Sequence, residues 1–147
     1  KTRRDSSKSG LLALAALETR PDIVLIHDAA RPLVPPEVIT RCIKGAKDHG
    51  ACTAAVPSQD TVAVTDTDGC IRSIPDRRTL YLVQTPQAFV FPLILKAYRT
   101  LPEGAVVTDD TAVARLAGHD VFIVPGDKRS LKITTKEDLV FAEALLK

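Results

Sequence analysis

His27-Asp28-Ala29-Ala30-Arg31-Pro32 follows directly on the apolar run Ile23-Val24-Leu25-Ile26. Four aliphatic residues in succession predict a strand buried on both faces of a parallel sheet. The segment just past the carboxyl end of such a strand is where open α/β sheets bind ligands. The hexapeptide offers one carboxylate, two side chains too small to obstruct a ligand, and a guanidinium. Asp28 can take a divalent cation or a sugar hydroxyl, since hard cations prefer oxygen. Arg31 can order the loop or pair a phosphate through its planar fork. The same residues also suit a strand end with a capping Asp and a structural Arg.

Further cationic and hydroxyl side chains fall at loop positions. Arg77 follows a hairpin-like stretch, and Lys132 stands just before Thr134-Thr135. Thr85 lies in Gln84-Thr85-Pro86-Gln87, where Pro86 holds it extended. Thr108 is placed to cap a helix whose N-terminus can face an anion, with Asp109 and Asp110 partly filling that role. Singly these read as ordinary caps and solvated charges. Together they are what a phosphorylated polyol needs: cations for the phosphate, hydroxyls and Asp28 for the rest. Phosphoryl and nucleotidyl transfer asks little covalent chemistry of a protein and depends on positioning and charge neutralisation.

Other chemistries find little support. Asp66-Thr67-Asp68-Gly69 looks like the opening of a calcium loop, but its twelfth position is Arg77 rather than Glu. Its alternating flanks mark a hairpin turn instead. His27, His49 and His119 are scattered, and no Ser or Cys sits in a nucleophile elbow.

The elements that must position these residues alternate along the chain. Ser6 is expected to cap a helix through Leu11, Leu12, Leu14, Ala15 and Leu17 that ends before Pro21. Ile23 to Ile26 is a strand. Pro35-Pro36-Glu37 opens a helix through Val38, Ile39, Cys42, Ile43 and Ala46, with Gly50 past its end. Cys52 to Val56 is a second strand, and Thr61 to Ile74 alternates as a hairpin around Asp68-Gly69. Phe91 to Tyr98 reads as helix. Thr108 caps a helix from Asp109 to Ala117 that stops at Gly118. Val121 to Val124 is a third short strand, and Thr135-Lys136-Glu137-Asp138 opens the last helix, Leu139 to Leu146. This order predicts α/β architecture with a mainly parallel sheet and one excursion hairpin.

At 147 residues, with 45% hydrophobic and 26% charged residues, the chain matches one globular domain with a proper core. A net charge of +2 is too small to indicate nucleic acid or a membrane surface. Lys1, Arg3, Arg4 and Lys8 crowd the start, either as a solvated terminus or as an anion-facing edge. Cys42, Cys52 and Cys70 lack metal-type spacing, and two of them lie in apolar patterns. They read as buried reduced thiols of a cytoplasmic protein. No apolar stretch approaches the ~20 residues of a membrane span, and no signal peptide is visible. The chain opens on Lys and holds no Met, which leads us to expect a piece of a longer protein.

Taken in order, Arg3-Arg4-Asp5-Ser6, His27-Asp28-Ala29-Ala30-Arg31-Pro32, Asp60-Thr61, Asp76-Arg77, Gln84-Thr85-Pro86-Gln87, Thr108-Asp109-Asp110 and the stretch Leu131-Lys132-Ile133-Thr134-Thr135-Lys136-Glu137-Asp138-Leu139 resemble the 2-C-methyl-D-erythritol 4-phosphate cytidylyltransferase family. The resemblance spans nearly the whole chain. It implies a Rossmann-like nucleotidyltransferase domain, glycosyltransferase-A-like, with a mainly parallel sheet and a protruding β-hairpin arm. It implies cytidylyl transfer from CTP to methylerythritol phosphate with Mg²⁺ and release of diphosphate, for non-mevalonate isoprenoid synthesis. On that basis Arg77 and Lys132 position the substrate phosphate, and Asp28, Arg31, Thr61 and Thr108 contact the substrate. Ser6, Ala29 and Thr85 belong to the nucleotide side, which Arg3 or Arg4 lines, and Asp28 also meets the metal-nucleotide. The arm, residues 58–77, reaches into a partner subunit, so Thr61 and Arg77 act across a homodimer.

The family opens with a glycine-rich strand-loop whose Arg and Lys hold the triphosphate. No such loop stands here, where Gly10 is the first glycine and lies in a helical pattern. The chain therefore resembles the C-terminal two-thirds of the family, a single domain over residues 1–147 that is N-terminally incomplete. By itself it is expected to be inactive and to expose apolar sheet edges. Ser7 also departs from the apolar residue usual after Asp-Ser. A downstream cyclase fusion, known in some bacteria, leaves no mark on the sequence. The alternatives are a sister cytidylyltransferase for ribitol 5-phosphate, against which Ala30 weighs, and a non-catalytic dimerising fragment.

Overall fold

The computed structural model describes residues 2–146; Lys1, one member of the basic N-terminal cluster, lies outside the described residues. Helix α1 (Arg3–Ala15) is capped by Thr2, not by Ser6. Thr2 Oγ1 accepts the Asp5 N–H at 3.2 Å, and the Asp5 carboxylate accepts the Thr2 N–H at 2.8 Å. An acid three positions after Thr2 completes this reciprocal box, so Ser6 falls one turn into the helix. Strand β1 (Ile23–Ile26) follows, then α2 (Pro36–His49), which closes on Gly50 at φ +85°. Strand β2 (Ala51–Pro57) leads into the short pair β3 (Val64–Thr65) and β4 (Ile71–Ser73). After a 3-10 turn at Arg77–Thr79 come β5 (Tyr81–Val90), α3 (Phe91–Thr100), α4 (Asp110–Leu116), β6 (Phe122–Pro125) and α5 (Lys136–Leu145).

The main sheet has the order β1-β5-β2-β6. Strands β1, β2 and β6 run the same way, while β5 runs antiparallel to both of its neighbours. The parallel set matches the expected architecture; the reversed central strand is an addition to it. Apolar patterning conceals β5 because Gln84, Pro86 and Gln87 interrupt it, and Pro is rare in a central strand. A bulge accommodates Pro86. Thr53 pairs with Gln87 but Ala55 pairs with Val83, so the residues between leave the ladder. Pairing to β1 also ends, at Ile26 with Gln87.

Alternate side chains of the strands feed two cores. Leu11, Phe89, Phe91, Ile94, Tyr98 and Val113 pack on one face, and Val38, Cys42, Ala46, Cys52, Ala54 and Ala88 on the other. Full burial of a Phe or Ile contributes about 1.5–3 kcal/mol, so Phe89, Phe91 and Ile94, each at most 1% exposed, anchor the β5–α3 corner. Contrary to expectation, β1 is half-buried throughout rather than buried on both faces. It is the edge strand of the sheet, and its outer side meets a groove along α1.

The β3–β4 hairpin forms a sheet of its own. Asp66 organises its turn by accepting the N–H groups of Asp68 and Cys70 at 3.0 and 2.9 Å. Val62, Val64, Ile71 and Ile74 are exposed on it. Cys70 shares that turn and is exposed, which corrects its reading as a buried thiol; Cys42 and Cys52 are buried and free. No described helix is long and apolar enough to cross a membrane.

Candidate functional site

The bulge in β5 aims Thr85 at the end of β1. Thr85 Oγ1 accepts the Asp28 N–H at 3.0 Å and pairs with His27 Nδ1 at 2.9 Å. His27 Nε2 lies 3.1 Å from the Arg31 carbonyl, which can only accept, so in the neutral ring Nε2 carries the proton and Nδ1 takes the Thr85 hydroxyl proton. Arg31 N–H closes the turn on the Asp28 carbonyl at 2.9 Å. A second loop is stitched to the first: Ile133 N–H donates to the Ala30 carbonyl at 2.8 Å, and Arg31 Nη1 to the Ser130 carbonyl at 2.7 Å.

This stitching brings three cations onto one carboxylate. Lys132 Nζ is 3.2 Å from Asp28 Oδ2, Arg3 Nε 3.4 Å from Oδ1, and Arg31 Nε 3.6 Å from Oδ2. Burial alone would raise the Asp28 pKa, but Lys132 and Arg3 outweigh it and hold the carboxyl below its ordinary value. The excess positive charge suits an anionic ligand.

Two hollows border this loop, and a further one adjoins the first of them through Arg3. A groove of about 440 Å³ brings together Arg3, Ser6, Asp28 and Ala29 along α1 and β1. A cleft of about 360 Å³ places Thr108 with Arg3, Arg4 and Tyr98. A third, also about 360 Å³, is lined by Arg31, Gln59, Asp60, Ser130 and Lys132 among others. Thr85 is buried at 3% exposure, and its hydroxyl is engaged with His27 and Asp28, so it supports the loop from behind.

Thr61 and Arg77 stand apart from this cluster. Both are exposed, and Arg77 Nη1 donates to the Gln59 carbonyl at 3.5 Å rather than meeting Asp28 or Lys132. Thr108 is not the cap of α4. Asp109 is, through Oδ1, which accepts the Ala112 N–H at 2.9 Å and the Thr111 hydroxyl at 2.7 Å. A carboxylate in that position displaces the Thr108 hydroxyl, which faces the cleft instead.

The sequence assigns no role to Gln84, Gln87 or Tyr98, and it places Asp110 only at a helix N-terminus. Gln87, 1% exposed, presents Oε1 to the N–H groups of Asp110 and Thr111 and donates Nε2 to Asp109 Oδ2 at 2.8 Å. Gln84 clamps the opposite loop, donating to the Asp127 carbonyl at 2.9 Å and accepting the Asp127 N–H at 3.2 Å. The two glutamines flanking Thr85-Pro86 thus secure the two sides of the site. Amides placed around a proline in an otherwise apolar stretch were the available signal.

Among the described residues no three His, Cys, Asp or Glu side chains gather as a cation site. Asp28 offers a single carboxylate, and Mg²⁺ is commonly held by one or two carboxylates together with substrate phosphates.

The family profile described as IspD, 2-C-methyl-D-erythritol 4-phosphate cytidylyltransferase, matches residues 1–147. The chain is 47% identical over 145 residues to the bifunctional enzyme IspD/IspF of Desulforudis audaxviator, covering 98% of this chain and 36% of that protein. It is 44% identical over 146 residues to the 2-C-methyl-D-erythritol 4-phosphate cytidylyltransferase of Alkaliphilus oremlandii, covering 99% of this chain and 61% of that one. The crystal structure of 4-diphosphocytidyl-2C-methyl-D-erythritol synthase from Anaerococcus prevotii superposes with a TM-score of 0.88 at 36% identity, over 99% of this chain and 67% of that chain. The chain thus spans about a third of its bifunctional relatives and about three-fifths of the shorter one.

Proposed function

The chain belongs to the 2-C-methyl-D-erythritol 4-phosphate cytidylyltransferase family, and from that premise we propose that its site serves cytidylyl transfer from CTP to methylerythritol phosphate. The observation that carries this reading is Asp28 held among Arg3, Arg31 and Lys132 beyond the end of a sheet strand. One acid to accept hydroxyl protons, surrounded by cations to hold phosphates, is a recognition set for a polyol phosphate.

A phosphate oxygen of the polyol substrate attacks the α-phosphorus of CTP; the new P–O bond forms as the α–β bridging bond breaks, and diphosphate leaves. The nucleophile is already anionic, so no general base is required. Lys132 and Arg31 bring two phosphate-bearing substrates together against their mutual repulsion. Asp28 accepts from the polyol hydroxyls. Arg3, Ser6 and Ala29 form the nucleotide side of the groove, with Thr108 across the adjoining cleft. Mg²⁺ belongs to this scheme as part of the nucleotide substrate. Arg77 and Thr61 are assigned to the partner's site in a homodimer, an assignment supported by the separate hairpin, its exposed Val64 and Ile71, and the absence of a hydrogen bond from Arg77 to Asp28 or Lys132 among the described residues. The free thiols agree with a cytoplasmic setting.

The test is phosphorus NMR of the full-length gene product with MgCTP and, separately, methylerythritol 4-phosphate and ribitol 5-phosphate. A new diphosphate-bridged product with the first substrate and little with the second supports the reading. Product from ribitol 5-phosphate in preference reassigns the substrate, and none from either defeats it.

A further inference from the structure

Arg3 connects the two carboxylates of the site. Its Nε faces Asp28, and its Nη1 lies 2.6 Å from Asp110 Oδ2. The Asp110 side chain is 0% exposed, whereas Arg3 keeps 36%. The other oxygen, Oδ1, accepts the Tyr98 hydroxyl at 2.6 Å. Among the described residues Oδ2 has no hydrogen-bond partner, so its charge rests on the ion pair with Arg3. Burying a carboxylate is costly, and such a pair seldom stabilises a fold more than apolar residues would.

The surroundings do not call for an acid. Tyr98, Val113 and Ala114 belong to the apolar core, and the Asp110 N–H is already taken by Gln87. What the acid provides is direction: it anchors one edge of a guanidinium whose other edge reaches Asp28. Burial, then the neighbouring Asp110, push the Tyr98 phenol above its ordinary range, so it stays a donor. Arg3 lines both the groove that holds Ser6, Asp28 and Ala29 and the cleft that holds Thr108. Among the described residues nothing takes its remaining Nη2.

We propose that Asp110 and Tyr98 are positioning residues that hold the Arg3 guanidinium rigid between the two hollows, presenting it preorganised to the anionic nucleotide. This inference rests on the cytidylyl-transfer reading for the identity of the ligand, and on the Arg3–Asp110–Tyr98 geometry for the rest.

The experiment is a double-mutant cycle on the full-length protein, reading KM for MgCTP apart from kcat, with thermal midpoints alongside. Asp110→Asn should raise KM for CTP about tenfold or more, and Tyr98→Phe should raise it less. In an Arg3→Ala background, Asp110→Asn should add nothing. An equal rise in that background would mean that Asp110 acts through α4 and not through Arg3, overturning the proposal. Unchanged KM in both single variants would overturn it too. If Asp110→Asn does not fold, Tyr98→Phe and its Arg3→Ala double decide by the same criterion.

Nitrogen-15 NMR of the ligand-free protein separates this proposal from the activity reading. The Arg3 Nη signals should be distinct and slowly exchanging in the wild type and collapse in Tyr98→Phe or Asp110→Asn, even if CTP is not turned over. Averaged Arg3 signals in the wild type would refute the anchoring.

Discussion

Asp28 and its three cations set the chemistry at the scale of single residues. Lys132, the nearest of them at 3.2 Å, depresses the Asp28 pKa, and in the proposed reaction it would also supply charge for a substrate phosphate. The sign follows directly. A carboxyl whose folded value lies below its unfolded value adds stability above that unfolded value and loses it as pH falls through the folded one. Activity and loop order should therefore persist down to about pH 4, the ordinary carboxyl range, and fail below it, as a pH profile with parallel circular dichroism would show. A profile falling already near pH 6 would point to another group. In the proposed homodimer Arg77 acts in the partner's site, where its planar fork can pair a phosphate. Arg77→Ala in the full-length enzyme should lower kcat/KM by about 10²–10³, the usual loss of a charge-stabilising donor. Arg77→Lys should be impaired as well. Wild-type kinetics for Arg77→Ala would remove it from the site.

At the scale of elements, close approaches hold the site loops in place. A Cβ at Gly126 would come within 2.3 Å of Gln84 Oε1 and 3.1 Å of the Ala55 carbonyl. Gly126→Ala should therefore dislodge the Gln84 clamp and loosen the loop that carries Lys132, raising KM for the polyol phosphate while hydrogen exchange at Asp127–Lys132 speeds up. A Cβ at Gly45 would likewise come within 2.8 Å of Cys52 Sγ and Val124 Cγ1. Gly45→Ala should cost about 1–3 kcal/mol by overpacking α2 against the sheet, readable as a lower unfolding midpoint with kinetics little changed. Much of this scaffold is legible in the sequence. Ile23–Ile26, the Pro36 start and Gly50 stop of α2, and the Thr135 cap all follow from local chemistry, since turn and cap residues act on their neighbours. The centre of the sheet is not legible, because β5 carries Gln84, Pro86 and Gln87 where a period of two should appear, and these are justified only by distant partners. The inward turn of Asp110 is hidden for the same reason: an acid in the first turn of a helix ordinarily faces water, and only the folded chain shows it directed to Arg3 and Tyr98. Ser6 and Thr108 read as caps where Thr2 and Asp109 form them, because several cap-forming residues stand side by side and their register depends on partners three residues on.

At the scale of the whole molecule, the proposed homodimer would make the site a property of two subunits through the arm. Mixing Arg77→Ala with Asp28→Ala subunits of the full-length protein should restore part of the activity lost by each, because one site of a mixed dimer has both residues intact. No recovery in mixed dimers shown to have formed would return the arm to its own subunit. On the proposed reading these 147 residues supply the polyol-phosphate side and one wall of the nucleotide groove, and they carry no glycine-rich cradle for a triphosphate. Calorimetry should find that this chain alone binds MgCTP far more weakly than the full-length protein, and equal affinities would place the nucleotide site within these residues. In the proposed reaction Lys132 holds the attacking phosphate of the polyol while Asp28 accepts from its hydroxyls. The most direct test of this assignment is the steady-state kcat/KM of the full-length protein for methylerythritol 4-phosphate, measured by diphosphate release, in the wild type and in Lys132→Ala. A loss of about 10²–10³ with an unchanged unfolding midpoint is predicted, and wild-type turnover in Lys132→Ala would contradict it.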